Sequence, residues 1–256
     1  MKNKEVLFSL MREERWLVFD VDGTLTPTRE PMVPGFKSWF MENIPMERVC
    51  LITGSDKEKT IAQVGEDFWS QCKYAMQCGG NDTYSRGKHV THSRWTPSES
   101  LLGILNSELS NTKYDELCGN HIEVRTGMEN FSIVGRDAVG DQRSRYVDFD
   151  LETRDRSSIA KKIREATGLE AVCGGDTGID IFPKGRDKSQ ALNLLYKNIS
   201  FFGDRCDAGG NDYALARALW TQNHKPVSRM VRHHEVYPVS GPYETETELR
   251  KLIARL

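Results

Sequence analysis

The chain has 256 residues, of which 38% are hydrophobic and 28% charged, and its formal net charge is −2. This length and composition indicate a globular protein of one large or two small domains with a substantial core. The near-neutral charge gives no general attraction to nucleic acid or to acidic membranes. No apolar run approaches the roughly 18 residues of a membrane-spanning helix. We therefore expect a cytoplasmic protein with no nucleic-acid and no membrane partner.

The cysteines give no sign of a metal site or of a disulfide framework. The sequence has six of them and no Cys-x-x-Cys pair. This spacing is more typical of buried or inert thiols than of zinc ligands.

The first predicted element is a strand over Trp16 to Phe19 that ends in two carboxylates. Its continuous apolar run is typical of a parallel strand covered by helices on both faces. Asp20 then lies at the carboxyl end, where open α/β sheets bind ligands, and Asp22 follows in a turn with Gly23. Such a pair favours a bound cation or a shared proton, and it also suits a nucleophile with a proton-transferring partner. A capped strand-to-turn junction explains an isolated Asp-x-Asp equally well.

The next elements continue the alternation of helix and strand. Aromatic residues at helical spacing predict a helix around residues 36–40. A second apolar strand, Val49 to Ile52, ends in Thr53, and a helix follows whose N-terminal amides favour an anion. The turn-rich segment 78–88 predicts a hairpin that leads out of this half of the chain.

The middle of the chain has a different pattern. It predicts a helix over 97–110, two strands over 121–125 and 130–136 joined around Thr126-Gly127, and a helix over 154–167. We therefore predict that residues 86–186 form an inserted α+β cap domain. Residues 1–85 and 187–256 then form the α/β core.

The last third returns to the first pattern. A short strand over 178–182 precedes Lys188, at which a helix is predicted to begin, and a buried strand over 199–202 ends in Gly203-Asp204. A loop then leads to Asp212 at the start of another helix. If the strands are parallel neighbours, these side chains meet Asp20 and Thr53 at one edge of the sheet. Carboxylates, a hydroxyl and a lysine in one place are the groups that magnesium-dependent phosphoryl transfer requires.

These motifs resemble those of the haloacid-dehalogenase-like superfamily. The four stretches that carry the resemblance are Asp20 to Thr26, Thr53, Lys188, and Gly203-Asp204 with Gly209-Gly210-Asn211-Asp212. The resemblance implies a Rossmann-like parallel-sheet core with an inserted cap, Asp20 as the nucleophile that becomes an aspartyl phosphate, and Asp22 as general acid/base. Thr53 and Lys188 are then further catalytic residues. The implied Mg²⁺ ligands are Asp20, Asp22, Asp204 and Asp212.

Within that superfamily the chain resembles the eukaryotic-type phosphomannomutases from about Leu17 to Ala218. The matching stretches are Asp20 to Thr26 with Arg29, Ile122 to Met128, Gly135-Arg136 with Arg143, and Gly174 to Lys188. The family implies that hexose 1-phosphate and hexose 6-phosphate are interconverted, with mannose as the preferred sugar. It also implies a mobile cap, a hexose 1,6-bisphosphate activator and a homodimer formed through the caps. The implied substrate-binding residues are Arg29, Arg125, Arg136, Arg143, Gly178 and Asp180.

The chain departs from that family at three places that bear on sugar identity. Gly178 stands where the family usually has a serine, two residues before the sugar-binding Asp180. Gly79-Gly80-Asn81 replaces a usual Glu-Asn-Gly, and Arg186 replaces a usual tryptophan.

The runner-up is a magnesium-dependent sugar-phosphate phosphatase of the same superfamily. A phosphatase needs a single phosphate site, whereas a mutase must also hold the phosphate that is not reacting. Arg125, Arg136 and Arg143 supply such a site because guanidinium groups match phosphate oxygens, although surface ion pairs are an alternative. Two further classes, a metal-dependent glycosyltransferase and an inactive phosphosugar sensor, fit fewer of the motifs.

Overall fold

The computed structural model describes residues 15–224 and 233–255. Its strands are β1 (Arg15–Phe19), β2 (Val49–Ile52), β3 (Tyr74–Gln77), β4 (Asp82–Ser85), β5 (Lys88–His92), β6 (Ile122–Arg125), β7 (Met128–Phe131), β8 (Glu170–Gly174), β9 (Gly178–Phe182), β10 (Asn198–Gly203) and β11 (Glu235–Pro238). Its α-helices are α1 (Pro34–Asn43), α2 (Lys57–Val64), α3 (Glu66–Gln71), α4 (Glu99–Ser110), α5 (Gly140–Thr153), α6 (Asp155–Thr167), α7 (Tyr213–His224) and α8 (Pro242–Arg255). None of these helices has the length and apolarity needed to cross a bilayer.

The larger sheet has seven strands in the order β11-β10-β1-β2-β3-β4-β5. The strands from β11 to β3 run parallel, and β4 and β5 form an antiparallel hairpin at one edge. Phe19 pairs with both Leu51 and Phe202, so β1, β2 and β10 end at nearly the same level. The strands β2 and β3 lie on one side of β1, and β10 and β11 lie on the other. A crevice forms at the carboxyl ends where the strand order reverses in this way, as is usual in open α/β sheets.

The predicted double burial of β1 is observed. Leu17 and Phe19 pack into the apolar cluster on one face of the sheet, and Trp16 and Val18 pack into the cluster on the other. Phe19 stacks on Phe202 with ring centroids 4.9 Å apart. The strand that carries Asp20 is thus fixed by packing on both sides, and Phe19→Ala would cost about 3–5 kcal/mol.

The second sheet is antiparallel, in the order β6-β7-β9-β8. Phe131, Ile179 and Ile181 belong to an apolar cluster that also contains residues of α4, α5 and α6. Their neighbours along the strands, Asn130 and Asp180, point to the opposite face because successive side chains alternate. One face of this sheet is therefore the core of the cap, and the other faces the larger sheet. A parallel-sheet α/β core with an inserted α+β unit is the predicted fold class, and it is confirmed.

Several element predictions need correction. β5 pairs with β4 in the larger sheet, so the predicted boundary at residue 86 divides a hairpin, and we propose that the cap begins after His92. Residues 1–14, 225–232 and 256 of the predicted core lie outside the described part of the chain. The predicted helix at Lys188 is only a short 3₁₀ segment, Lys188–Asn193, and β10 begins at Asn198.

Two differences lie within the cap. The strand predicted over 130–136 is β7, Met128–Phe131, because the chain turns at Ser132, whose carbonyl accepts a hydrogen bond from Gly135 N at 3.2 Å. Helix α5 was not predicted, because Tyr146 is its one fully buried residue and the apolar periodicity that reveals a helix is weak there. The pattern also missed β8, β11 and α8.

Candidate active site

Asp20, Lys188 and Asp212 form a buried ionic group at the end of β1. Lys188 Nζ lies 2.8 Å from Asp20 Oδ1 and 2.7 Å from Asp212 Oδ1. Burial disfavours the ammonium, but the two carboxylates outweigh burial and raise the pKa of Lys188. The lysine is therefore a fixed positive charge beside Asp20, suited to holding a phosphoryl oxygen.

Asp20, Asp204 and Asp212 each place a carboxylate oxygen within 4.8 Å of the others. Burial, together with repulsion from Asp212, raises the pKa of Asp204 to about 6. Burial also raises the pKa of Asp20, against the attraction of Lys188. One ammonium does not balance three carboxylates, and a divalent cation would supply the missing charge. An all-oxygen donor set of this kind fits Mg²⁺.

Two glycines make room for these carboxylates. A Cβ on Gly23, whose φ is +81°, would lie 2.6 Å from Asp204 Oδ2. A Cβ on Gly203 would lie 2.7 Å from Asp212 Oδ2. A side chain at either position would displace a carboxylate of the cluster.

Asp22 has different surroundings and is not a member of the three-carboxylate cluster. Its Oδ1 accepts hydrogen bonds from the backbone N–H of Arg29 and from Gln63 Nε2, and Lys59 Nζ lies 3.5 Å from Oδ2. Burial would raise the pKa of Asp22, but Lys59 and these donors together lower it. Asp22 as a metal ligand stays a prediction, and its contacts suit a group that exchanges a proton.

Thr53 follows β2 and is buried at the same edge. Its Oγ1 accepts a hydrogen bond from Ser55 N at 3.1 Å, and its own N–H donates to Met76 O at 3.0 Å. The hydroxyl hydrogen remains available for a phosphate oxygen in the cleft. Helix α2 begins directly afterwards, capped by Asp56, which accepts from Lys59 N at 2.8 Å.

Arg125 joins the cap to the larger sheet. Its Nη1 donates to Gly54 O at 2.8 Å, and its Nη2 donates to Glu123 Oε2 at 2.8 Å. The same Glu123 oxygen lies 2.7 Å from Arg136 Nε. Burial would raise the pKa of Glu123, but the two arginines lower it. One carboxylate thus orients two guanidinium groups.

Arg29 and Arg143 complete a group of four arginines with Arg125 and Arg136. Arg143 contacts Thr177 Oγ1 at 3.3 Å and Asp176 Oδ2 at 3.5 Å. Burial, together with repulsion from Arg143 and Arg136, lowers the pKa of Arg29 to about 10. Positive charges held this close together favour an anion, so the group can bind a phosphate.

The predicted sugar-binding residues Gly178 and Asp180 contact Asn130, which sequence reasoning did not identify as a site residue. Asn130 Nδ2 donates to Asp180 Oδ1 at 2.7 Å, and Gly178 lies against the Asn130 amide. Asn130 and Asp180 are paired in the β7–β9 register, a signal that appears only once the two strands are known to be neighbours. Lys59 and Gln63, the partners of Asp22, were also missed, although both lie on the helix predicted after Thr53.

One cleft is lined by residues of both sheets. Its lining includes Asp20, Asp22, Arg29, Thr53, Arg125, Arg136, Arg143, Gly178, Asp180 and Asp204. Lys188 and Asp212 are buried behind this lining. Lys188 contacts both Asp20, which lines the cleft, and Asp212. The predicted site residues therefore lie in or directly behind a single cleft, with Asp20, Asp22, Asp204 and Asp212 supplied by the core and three of the four arginines by the cap.

Two solved structures illustrate the architecture that this chain shares with known proteins. The IMP-bound Plasmodium falciparum IMP-nucleotidase, truncated at its N-terminus, superposes with a TM-score of 0.63 at 16% identity, over 99% of this chain and 72% of that one. The C-terminal domain of C. albicans trehalose-6-phosphate phosphatase gives 0.62 at 16% identity, over 99% and 97%. This likeness shows that the chain shares the fold of these two proteins, an α/β core with an inserted α+β unit.

The sequence comparisons identify one particular family. The chain belongs to the eukaryotic phosphomannomutase family, whose model matches residues 37–237. It is 31% identical to the phosphomannomutase of Spinacia oleracea over 222 residues, which is 82% of this chain and 90% of the relative. It is 29% identical to that of Drosophila melanogaster over 233 residues, or 85% and 92%. The family expected from the motifs is confirmed.

Proposed function

We propose that this protein is a magnesium-dependent phosphomannomutase that interconverts hexose 1-phosphate and hexose 6-phosphate, with mannose as the preferred sugar. One observation carries the proposal: a single cleft is lined both by Asp20, which pairs with the buried Lys188 directly behind it, and by a separate group of arginines. The first group suits phosphoryl transfer, and the second suits a phosphate that does not react.

In the transfer step the Asp20 carboxylate attacks phosphorus and becomes an aspartyl phosphate. The bond between phosphorus and the sugar oxygen breaks, and Asp22 donates a proton to that oxygen. In the reverse direction Asp22 accepts the proton of a sugar hydroxyl, which then takes the phosphoryl group from Asp20. Lys188 and Thr53 hold the phosphoryl oxygens throughout. Magnesium held by Asp20, Asp204 and Asp212 would neutralise charge on those oxygens.

The arginine group explains why the product is an isomer. Isomerisation passes through a hexose 1,6-bisphosphate. This intermediate must turn in the cleft, so that the phosphate at its other end comes to face Asp20. While one phosphate reacts, Arg29, Arg136 and Arg143 hold the second. A hydrolase acting on a monophosphate has no use for this second site, so the phosphatase is the weaker candidate.

Three further parts of the proposal follow from the same family. A hexose 1,6-bisphosphate would act as activator by transferring a phosphoryl group to Asp20. A homodimer would form through the caps, which carry exposed apolar side chains at Leu117, Val124, Val139 and Leu151. We also retain the cytoplasmic location that composition favours.

A phosphorus NMR time course tests the proposal. The protein is incubated with Mg²⁺, mannose 1-phosphate and a trace of hexose 1,6-bisphosphate. We expect mannose 6-phosphate to appear with little inorganic phosphate. Accumulation of inorganic phosphate without the 6-phosphate would instead establish the phosphatase.

A further inference from the structure

Gly178 begins β9 and leaves a space that the Asn130 side chain fills. A Cβ built on Gly178 would lie 2.7 Å from Asn130 Nδ2 and 3.2 Å from Asn130 Oδ1. Gly178 is not among the glycines with positive φ, so its backbone would accept any residue. The Asn130 amide is therefore one of the groups that exclude a side chain at position 178, together with Gly174 O at 3.1 Å from the same Cβ.

The orientation of the Asn130 amide follows from its partner. Nδ2 donates to Asp180 Oδ1 at 2.7 Å, and an ionised carboxylate only accepts hydrogen bonds, so the nitrogen must be the atom that faces Asp180. The Asn130 oxygen then faces away from Asp180. Asn130 is 3% exposed, and its Oδ1 has no partner within residues 15–224 and 233–255.

An acceptor that is buried without a partner is uncommon and costly. Asn130 and Asp180 both line the cleft, so a donor there would come from a ligand. Asp180 offers a second acceptor beside the amide, because its Oδ2 lies against Gly54 and Gly174, where a Cβ would be 3.2 Å and 2.2 Å away. Neither glycine has a side chain that would cover this oxygen.

We infer that Asn130 Oδ1 and Asp180 form a pair of acceptors for two neighbouring hydroxyl groups on the substrate ring. Asn130 is then a specificity-determining residue that takes the place of the side chain absent at Gly178. The inference deepens the proposed function and rests on it, since it places a hexose phosphate in the cleft.

This arrangement recognises a vicinal diol. A site with buried acceptors strongly disfavours an analogue that lacks the matching hydroxyl, because the acceptors are then left without partners. The two acceptors should therefore distinguish sugars by the position and orientation of two adjacent hydroxyl groups. The arginines suit the phosphate, whereas Asn130 and Asp180 suit the hydroxyl groups of the sugar.

Binding without turnover tests the inference. The full chain in excess chelator is titrated by calorimetry with mannose 6-phosphate and with its 2-deoxy, 3-deoxy and 4-deoxy analogues. We expect Asn130→Ala to weaken binding of the parent sugar on the order of 10-fold, equivalent to one hydrogen bond. One deoxy analogue should bind Asn130→Ala and the unmodified protein equally, because it lacks the hydroxyl that Asn130 contacts.

Two further variants make the result specific. Ser132→Ala is the matched control, because Ser132 Oγ is also buried and unpartnered in the described chain, yet Ser132 does not line the cleft. It should leave every affinity unchanged. Gly178→Ala, which adds a Cβ but no new hydroxyl group, should displace the Asn130 amide and reproduce the pattern of Asn130→Ala, which provides an answer even if Asn130→Ala does not fold.

Equal weakening of all four ligands, or no weakening of any, would overturn the inference. The result of this binding experiment can be told apart from the result of the mutase assay. If the hydroxyl-specific pattern appears in a protein that does not isomerise, the Asn130 contact stands and the proposed function fails. If the protein isomerises without the pattern, the Asn130 role fails alone.

Discussion

At the scale of residues, the two carboxylates of the Asp-x-Asp motif differ because of what surrounds them. Asp20 lies against the Lys188 ammonium and two other carboxylates, and burial raises its pKa. Asp22 accepts two hydrogen bonds and faces Lys59, and its pKa is lowered although burial opposes the change. Environment, rather than residue type, thus distinguishes the proposed nucleophile from the proposed proton-transferring group.

This separation predicts different losses for the two asparagine variants. Asp20→Asn should abolish phosphoryl transfer and leave no acyl phosphate to trap. Asp22→Asn should slow turnover but still yield some trapped phosphoenzyme, because the nucleophile is intact. Rapid acid quenching with radiolabelled substrate measures both, and substantial turnover by the Asp20 variant would remove that residue from the role.

Glu129 is an exception to the rule that charged residues avoid the interior. Its relative exposure is 0%, and neither carboxylate oxygen has a partner in the described ranges. Burial raises the pKa of Glu129 to about 7. The folded protein therefore binds a proton on Glu129 at pH values where the unfolded chain has released it.

The raised pKa predicts how stability depends on pH. The contribution of Glu129 is complete below the unfolded pKa of about 4.3 and is lost as pH rises through about 7. Glu129→Gln should therefore raise the free energy of unfolding at pH 8, by up to about 3 kcal/mol, and change it little at pH 4. Urea unfolding at both pH values measures this. Glu152→Gln, at an exposed position on α5, is the control and should show no such difference.

At the scale of elements, the ends of the strands bring together the carboxylates of the proposed metal site. Parallel strands bring Asp20 and Asp204 to one edge, and the short 3₁₀ segment brings Lys188 beside them. We expect chelation to abolish activity, Mg²⁺ to restore it, and Ca²⁺ to restore it poorly, because calcium prefers longer bonds and more ligands. Full activity in excess chelator would remove the metal from the mechanism.

The glycine at the end of β10 gives a sharper test of the same site. Gly203→Ala would place a methyl group 2.7 Å from Asp212 Oδ2 and push that carboxylate away from the cluster. We expect the Mg²⁺ concentration for half-maximal activity to rise at least about 10-fold, as losses of groups that orient metal ligands typically cause. Gly35→Ala, where nothing lies within 4 Å of the new Cβ, should not change it. An unchanged Mg²⁺ requirement in Gly203→Ala would contradict the assigned cluster.

The elements also show what sequence alone could predict. Strand ends were predictable, because an apolar run that stops at Asp20, Thr53 or Asp204 is a local signal. Helix α5 was not, since its apolar periodicity is weak and its packing depends on the cap sheet. The Asn130–Asp180 contact was also out of reach, because it depends on which strands pair across fifty residues of chain.

At the scale of the whole molecule, the two sheets share one cleft and contact each other around it. Arg125 in β6 donates to Gly54 O beyond β2 at 2.8 Å. Arg205, in the loop after β10, lies 2.7 Å from Asp176, between β8 and β9. Composition could not predict this closure, because it depends on contacts between segments far apart in sequence. It places the cap arginines over the core carboxylates, as a reaction with two phosphate sites requires.

The central claim is that the cap arginines hold the phosphate that is not reacting. The most direct test compares two rates in Arg136→Ala and Arg143→Ala: isomerisation of mannose 1-phosphate, and magnesium-dependent hydrolysis of acetyl phosphate, which has no second phosphate. Each charge-assisted contact contributes about 1.5–3 kcal/mol, so isomerisation should fall on the order of 10- to 100-fold while acetyl phosphate hydrolysis falls far less. Arg145→Ala, an exposed arginine on the same helix as Arg143 that pairs with Glu116, should leave both rates unchanged. Equal losses of the two rates in Arg136→Ala and Arg143→Ala, or no loss of either, would contradict the account.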